Sequence, residues 1–531
     1  MRRPISRGDW ASAAGLPDRL TPAAPLGDER RLAAGEVVRS GSRAEYRAVR
    51  AVDGERHQFR YELTDPSVAE RFHLGEVLAC FAHLTDLHVT DVQSPARFEF
   101  LNREYLDPRF RELLPMHRSH EALNAHAVAA MVRAVNSIEE APVSGARIEL
   151  AIMSGDGVDN AQRNELSTFA ALLDGGEVRP DSGGERYEGV QSPGWPDDIF
   201  WKPDGAIKGL DLMRDAFGFP HAPGLLQRAL APFPSLGLRV PWLGCRGNHE
   251  GACQGVGIVT AELAAAMVGF HKPFRLGEGV DRDVALETFI RRPHVFMAGP
   301  DLPVTPDGRR RPISRAELVD AHLGAEGTAF YGHDTAAVRF VVLDTVCSAG
   351  GADGCLDQDQ VLWLQRRLQE ARDRPVVISS HHTLDTLGNR RRAGGSRYIE
   401  PAEVLEVVHA EGNVVLWLNG HVHANAVRSR VDPRGHGGFW EVTTSSLVDW
   451  PCQARVIELF KAGDGLLGIA CTMLDHDGSV DPGAAVAPAE MAGLHRQLAA
   501  NAPFAGFDSG REGTPLDRNV ILPVRWPRVS R

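Results

Sequence analysis

The chain has 531 residues, 43% hydrophobic and 24% charged, a globular balance that excludes collagen-like, coiled-coil and wholly disordered chains. Its formal net charge of -12 argues against a broad basic surface for nucleic acid. A small anionic substrate at a local metal site is compatible with that charge.

Residues 1 to about 35 are rich in Ala, Pro, Arg and Asp without a period and read as irregular. Arg2-Arg3 is not followed by an apolar stretch, so no export signal is read there. From Gly35 to about Asp65 apolar and charged residues alternate, and Asp53-Gly54 reads as a hairpin turn. Residues 1–75 are therefore expected to be an irregular and β-hairpin extension.

A repeated unit follows: a short apolar strand, then a polar loop dense in Asp, His, Asn and Gly. Val77 to Leu84 leads into Asp86 and His88, and Ile148 to Met153 into Gly155-Asp156-Gly157-Val158-Asp159-Asn160. Leu238 to Leu243 leads into Gly247-Asn248-His249-Glu250, Val376 to Ile378 into His381-His382, and Val414 to Leu418 into Gly420-His421-Val422-His423. Such strands suit a sheet buried on both faces. Amphipathic helices are predicted over about Glu121–Ile138, Gln358–Ala371 and Pro401–Ala410. Alternating strands and helices imply an α/β domain over 76–475, whose ligands lie beyond the strands' carboxyl ends.

Two insertions interrupt the unit, about 175–233 and 251–333. Thr260 to Ala325 lies between strand-end motifs, so its removal is predicted to alter substrate preference while sparing metal binding. Trp195, Trp201 and Trp242 read as core. Residues 476–531 read as one helix, about Pro488–Ala499, and an irregular tail. No apolar run approaches the roughly 18 residues of a membrane span, so no membrane association is expected. Seven cysteines without a C-x-x-C pair point to a reducing, cytoplasmic compartment; Cys347 and Cys355 are close enough in sequence to pair, but free thiols are the preferred reading.

Carboxylate and amide oxygens and imidazole nitrogens are the donors of divalent metals. Asp86 and His88, like His421 and His423, stand two apart, which directs both side chains to one side of an extended chain. Gly155, Gly247 and Gly420 each precede a candidate ligand, where the chain must turn without a Cβ clash. Singly each motif is weak; in this order, each after a buried strand, they point together to a metal site.

The ordered set D-x-H, G-D-x-x-D-N, G-N-H-E, H-H and G-H-x-H resembles the calcineurin-like metallophosphoesterase superfamily, over about Val77 to Phe460. The resemblance implies a β-sandwich flanked by helices in α/β/β/α layers, here with an N-terminal β segment and long insertions. It implies two divalent or mixed-valence transition metal ions, Mn, Fe, Zn or Co. Asp86, His88 and His423 would hold one, Asn248, His381 and His421 the other, and Asp156 would bridge them. His381, the first His after its strand, is preferred over His382. The implied reaction is hydrolysis of phosphate mono- or diesters by a metal-activated hydroxide, with His249 as general acid oriented by Asp159.

Asn160 stands where the phosphoprotein phosphatases of the superfamily carry arginine, and Asp159 where purple acid phosphatases carry a tyrosine ligand. The segment from Phe340 to Thr345, with Gln360 to Leu364, is closer to the diesterase-like bacterial branch. Arg309–Arg311 and Arg390, Arg391, Arg392 and Arg397 could hold further phosphates. Only four lysines occur, so arginine is the default cation and a solvated face is the preferred reading. A nuclease of the same superfamily needs a continuous basic groove, which the acidic balance disfavours; a metal-free binding scaffold would have no need of the donor set. The expected partner is a small phosphate ester.

Overall fold

The computed structural model describes residues 30–322, 328–391, 395–435, 437–463 and 465–526. Two mixed sheets pack face to face. One runs Gln58–Phe59, Val520–Arg525, Leu466–Asp475, Gln453–Gly463, Val77–Leu84, Leu150–Met153, Trp242–Gly244. The other runs Tyr331–Asp334, Arg339–Val342, Val376–Ser379, Val414–Asn419, Gly438–Thr443, Ala426–Val431.

The apolar runs form central strands because both of their faces are covered. Between the sheets Phe81, Ile152, Leu416, Ile457 and Leu522 share one core with Phe340 and Val377, and the Phe81 and Phe340 rings meet edge to face at 5.4 Å. Helices Asn124–Ser137 and Arg163–Asp174 cover the first sheet's outer face, where Val128, Met131, Leu166 and Phe169 pack on Ala82, Leu84 and Val456. Helices Gln358–Glu370 and Pro401–Glu411 cover the second through Leu364, Val404 and Val408 against Val341, Ile378 and Trp417. Each such side chain contributes about 1.5–3 kcal/mol of burial. The expected α/β/β/α layering is present. Within each sheet, Val77–Leu84, Leu150–Met153 and Trp242–Gly244 run parallel, as do Val376–Ser379 and Val414–Asn419. Every polar motif therefore leaves a strand at its carboxyl end.

The termini differ from the sequence expectations. Strands Arg30–Ser40 and Glu45–Asp53 do form a hairpin, but Asp53 pairs with Arg30 and the turn is Gly41 to Ala44, closed by Gly41 N donating to Ala44 O at 2.9 Å. The Asp-Gly signal falls outside the turn because the strand begins earlier than the composition suggests. Residues 1–29 of the expected irregular extension lie outside the described residues.

At the other end the helix is Pro488–Ala500, but the tail is not irregular throughout. Val520–Arg525 joins the first sheet, antiparallel to Leu466–Asp475. Pro523 hides this strand from a sequence reading. It is tolerated because the neighbour on the other side, Gln58–Phe59, pairs only with Val520 and Ile521, leaving Pro523 on an open edge.

The first insertion is closed at its base by Gly176–Val178 pairing with Phe233–Ser235, and Trp195 and Trp201 are buried in it. The second contains helices Ala261–Val268, Ala285–Arg291 and Arg315–His322. Its Leu263, Met267, Phe289 and Phe296 share a core with Phe98, Phe100, Phe110 and Met116. Removing Thr260 to Ala325 would therefore also take side chains out of the core beneath residues 96–116. The arginine clusters are ion-paired: Arg309 with Asp307, Arg310 with Asp91, Arg311 with Glu317, Arg390 with Glu400, Arg391 with Glu287, Arg397 with Glu403; Arg392 lies outside the described residues. All seven cysteines are free thiols. Among the described residues, no helix is long and apolar enough to cross a membrane.

Candidate metal centre

The five motif loops converge at the shared end of the two sheets. Asp86, His88 and His423 each offer a donor atom, all within 4.8 Å of one another, and so do Asp86, Asp156 and His381. His423 Nε2 is 3.1 Å from Asp86 Oδ1 and 3.3 Å from His88 Nε2. On the other side Asn248 Oδ1 lies 3.0 Å from His381 Nε2 and 3.1 Å from His421 Nδ1. Asp156 Oδ2 stands between the groups, 3.1 Å from His381 Nε2 and 3.7 Å from His88 Nε2.

The backbone is bent to make this possible. Asp86, His88, Asp156, His421 and His423 all adopt left-handed φ, from 45° to 66°, a region that costs a residue with a Cβ roughly 1–3 kcal/mol. Such strain collects where function demands a particular side-chain direction. Gly247 and Gly420 serve close approach rather than φ. A Cβ on Gly247 would lie 2.2 Å from Asp156 Oδ1, and one on Gly420 would lie 2.0 Å from Thr85 Oγ1 and 2.2 Å from Asp86 Oδ2.

Three supporting contacts come from residues to which the sequence reading assigned no role. The buried Glu250 carboxylate accepts from the backbone N–H groups of Gly247, Asp156, Gly157 and Val158 at 2.6–3.2 Å, tying two motif loops together. Arg97, fully buried, donates to Asp159 Oδ2 and to Glu121, both at 2.7 Å. Asp449 lies 2.7 Å from His423 Nδ1 and accepts from Arg118. Glu250 belongs to a quoted motif, but Arg97 and Asp449 lie in no motif and carry no local signal.

Asp159 contacts both neighbouring histidines, differently. Its carboxylate Oδ1 is 3.1 Å from His88 Nδ1, whereas His249 Nδ1 lies 2.8 Å from its backbone carbonyl oxygen and 3.5 Å from Oδ1. His382 has both ring nitrogens engaged, Nδ1 with Thr345 Oγ1 and Nε2 with Ala352 O, each at 2.8 Å. It nonetheless stands beside His381 and His421 within the same donor distance.

Burial and charge act on these groups in opposite senses. Burial, helped by the neighbouring His249, pushes His88 down to about 4. For His249 and His381 burial also disfavours the cation, but Asp156 and Asp159 together at His249, and Asp156 and Asp86 together at His381, outweigh it and raise both to about 9. Asp156 is held well below the usual carboxylate range despite its burial, by His381 and His249.

These residues could hold metal cations. Asp86 Oδ1 is buried without a hydrogen bond, although His423 Nε2 is near. A buried carboxylate oxygen left so is costly unless a cation completes it. The donor chemistry, carboxylate and amide oxygen with imidazole, suits such ions.

Residues 215–425 match the family model of calcineurin-like phosphoesterases. The match includes the loops of Asn248, His381, His421 and His423; those of Asp86, His88 and Asp156 precede it. Two solved structures are similar. A dimetal phosphatase from Danio rerio is 12% identical, with 75% of this chain and 96% of that chain covered and a TM-score of 0.37. A putative 5'-nucleotidase from Staphylococcus aureus is 11% identical, with 76% and 55% covered and a TM-score of 0.26. No curated protein matches the chain. The family match and the donor cluster support a metal-dependent hydrolase of phosphate esters.

Proposed function

We propose, from the match to calcineurin-like phosphoesterases, that this chain hydrolyses small phosphate mono- or diesters in the cytoplasm, using two transition ions drawn from Mn, Fe, Zn and Co. Asp86, His88 and His423 would hold one cation and Asn248, His381 and His421 the other, with Asp156 shared. The observation that carries the reading is the position of Asp156 Oδ2 between His88 and His381, beside an Asp86 oxygen that lacks a hydrogen bond. His381 is the better-placed ligand, since His382 has no ring nitrogen to spare.

When bound, the two cations supply positive charge to the phosphoryl oxygens and make water acidic enough to act as nucleophile near neutral pH. The protein supplies the rest. Glu250 fixes the backbone of the Asp156 and Asn248 loops, so the donors need little reorganisation. Asp159, clamped by Arg97, sets the His88 ring. His249 donates from Nδ1 to the Asp159 carbonyl, which leaves Nε2 as the nitrogen that gives its proton to the departing ester oxygen. The carboxylates of Asp156 and Asp159 favour the protonated ring.

The test combines metal analysis with a substrate panel on protein stripped and reloaded with each ion. About two metal ions per chain are expected, with hydrolysis of at least one ester class. Asp156→Asn should lose metal and turnover together. Full metal content in that variant, or a wild type that binds none, would overturn the reading.

A further inference from the structure

A cavity of about 290 Å³ opens beside Asn248, between the second insertion and the loop that follows Arg339–Val342. Gly255 lies against its inner end so closely that an added Cβ would be 2.2 Å from Asn248 Nδ2 and 2.8 Å from His249 Cδ2. The cavity thus adjoins Asn248, a proposed metal ligand, and is separated from the proposed acid His249 by Gly255, which places it where the departing part of an ester would sit. Ile258, Leu318 and Val346 give it apolar walls, and Arg246 and Arg315 are its cations.

Arg246 stands apart from the other arginines enclosed by the protein. Arg97, Arg310 and Arg455 each hydrogen-bond to protein acceptors. The Arg246 side chain is only 26% exposed, and its nearest acid, Asp344 Oδ2, is 3.5 Å away. Its Nε is buried without a hydrogen bond, as are Arg97 Nε and Arg310 Nη2, but those two side chains are bonded through their other nitrogens. Asp344 Oδ1 accepts from Val346 N at 3.1 Å, and only Oδ2 faces Arg246, beyond ordinary hydrogen-bond length. A guanidinium has five N–H donors in a planar fork, and enclosing them without acceptors is costly. Arg315 stands exposed on the cavity's wall. A larger cavity of about 640 Å³ in the first insertion includes Arg179 and Arg309, but those are paired with Glu177 and Asp307, and none of the metal donors lines it.

We propose that this cavity receives the organic part of the substrate and that Arg246 binds a second oxyanion, carboxylate or phosphate, carried on that part. The substrate class is then a compact phosphate ester with an apolar body and a further anionic group. This rests on the phosphoesterase reading above. Arg246 is a specificity residue: it grips the second anion, and Asn248 and His249 face the ester bond.

The test uses the full chain loaded with metal and three substrates: phenyl phosphate, 4-carboxyphenyl phosphate and 1,4-phenylene bisphosphate. Wild type should favour at least one doubly anionic ester by about 10- to 100-fold in kcat/KM, chiefly through KM, as a charge-assisted fork predicts. Which of the two is favoured separates carboxylate from phosphate. Arg246→Met should abolish the preference and Arg246→Lys keep part of it, with metal content equal in all three proteins. Calorimetry of benzylphosphonate against 4-carboxybenzylphosphonate and a bisphosphonate analogue gives a second readout without turnover. No preference in wild type, or one that survives Arg246→Met, overturns the inference. Failure of metal-loaded wild type to hydrolyse any ester overturns the phosphoesterase reading instead; equal binding of the phosphonates then overturns the subsite as well.

Discussion

His423 Nδ1 lies 2.7 Å from Asp449 Oδ2, so the ring is fixed from behind while Nε2 points at Asp86 and His88. Arg118 and Arg511 hold the Asp449 carboxylate in turn. A carboxylate behind a metal-binding imidazole sets its tautomer and raises its basicity. Asp449→Asn should therefore weaken metal binding about 10- to 100-fold. Competition against a chelator, checked for an intact fold by circular dichroism, measures it; unchanged affinity would refute the role.

His249→Ala should slow esters with poor leaving groups by roughly 10²–10⁴-fold while both metals stay bound. Activated aryl esters, which need little protonation of the leaving oxygen, should lose less. Asp159→Asn should behave differently from a mild His249 variant. The backbone carbonyl that holds His249 survives the change, whereas the carboxylate at His88 does not. Metal affinity should fall, and poor leaving groups should lose only slightly more than activated ones, because the Asp159 carboxylate also favours the His249 cation. Equal losses on good and poor leaving groups in His249→Ala would reject the general-acid role.

Gly247→Ala places a methyl group 2.2 Å from Asp156 Oδ1. The Asp156 loop cannot yield easily, because Glu250 holds its N–H groups. Overpacking of this kind costs about 1–3 kcal/mol, and Asp156 should be displaced as well. The expected result is a lower melting temperature together with fewer than two metals per chain. A variant with normal metal content would show that the loop has room to move.

Lys272 is fully enclosed, with its Nζ 2.7 Å from Glu99 Oε1 and 2.6 Å from Ser94 O. It fastens the second insertion to the segment after the Asp86 loop. Lys272→Met leaves Glu99 only the more distant Arg97 Nε, 3.5 Å away, and should destabilise by up to about 3 kcal/mol. Adding Glu99→Gln should recover much of the loss. Urea denaturation of both variants decides, and equal losses would show that the ion pair is not the source.

His57 is buried against Thr472 Oγ1 at 2.9 Å, and burial pushes its pKa down to about 3. The unfolded chain, with an ordinary imidazole near 6.5, binds this proton more readily. The neutral ring's contribution is therefore complete above about pH 6.5 and is lost as pH falls toward about 3. Between about pH 7.5 and about pH 5, wild type should lose about 2 kcal/mol more than His57→Gln. Parallel pH profiles for the two proteins would exclude a buried neutral His57.

The sequence by itself determined the donor types, their order and their place after apolar strands. These are local properties: carboxylate, amide and imidazole chemistry is written in single residues, and a strand buried on both faces leaves an apolar run. The same locality made helices such as Gln358–Glu370 readable, where Asp357 caps a periodic segment. Tertiary structure alone decided which atoms meet. His381 and His382 are adjacent and identical in type, and only Thr345 and Ala352, brought in from another loop, distinguish them. Asp449, Arg97 and Arg246 with its loosely held guanidinium belong to the same class, because hydrogen bonds are settled over tenths of an ångström between residues far apart in the chain. The left-handed backbone at Asp86, His88 and His423 is another such case: local preference opposes it in residues with a Cβ, and only the surrounding packing holds it there.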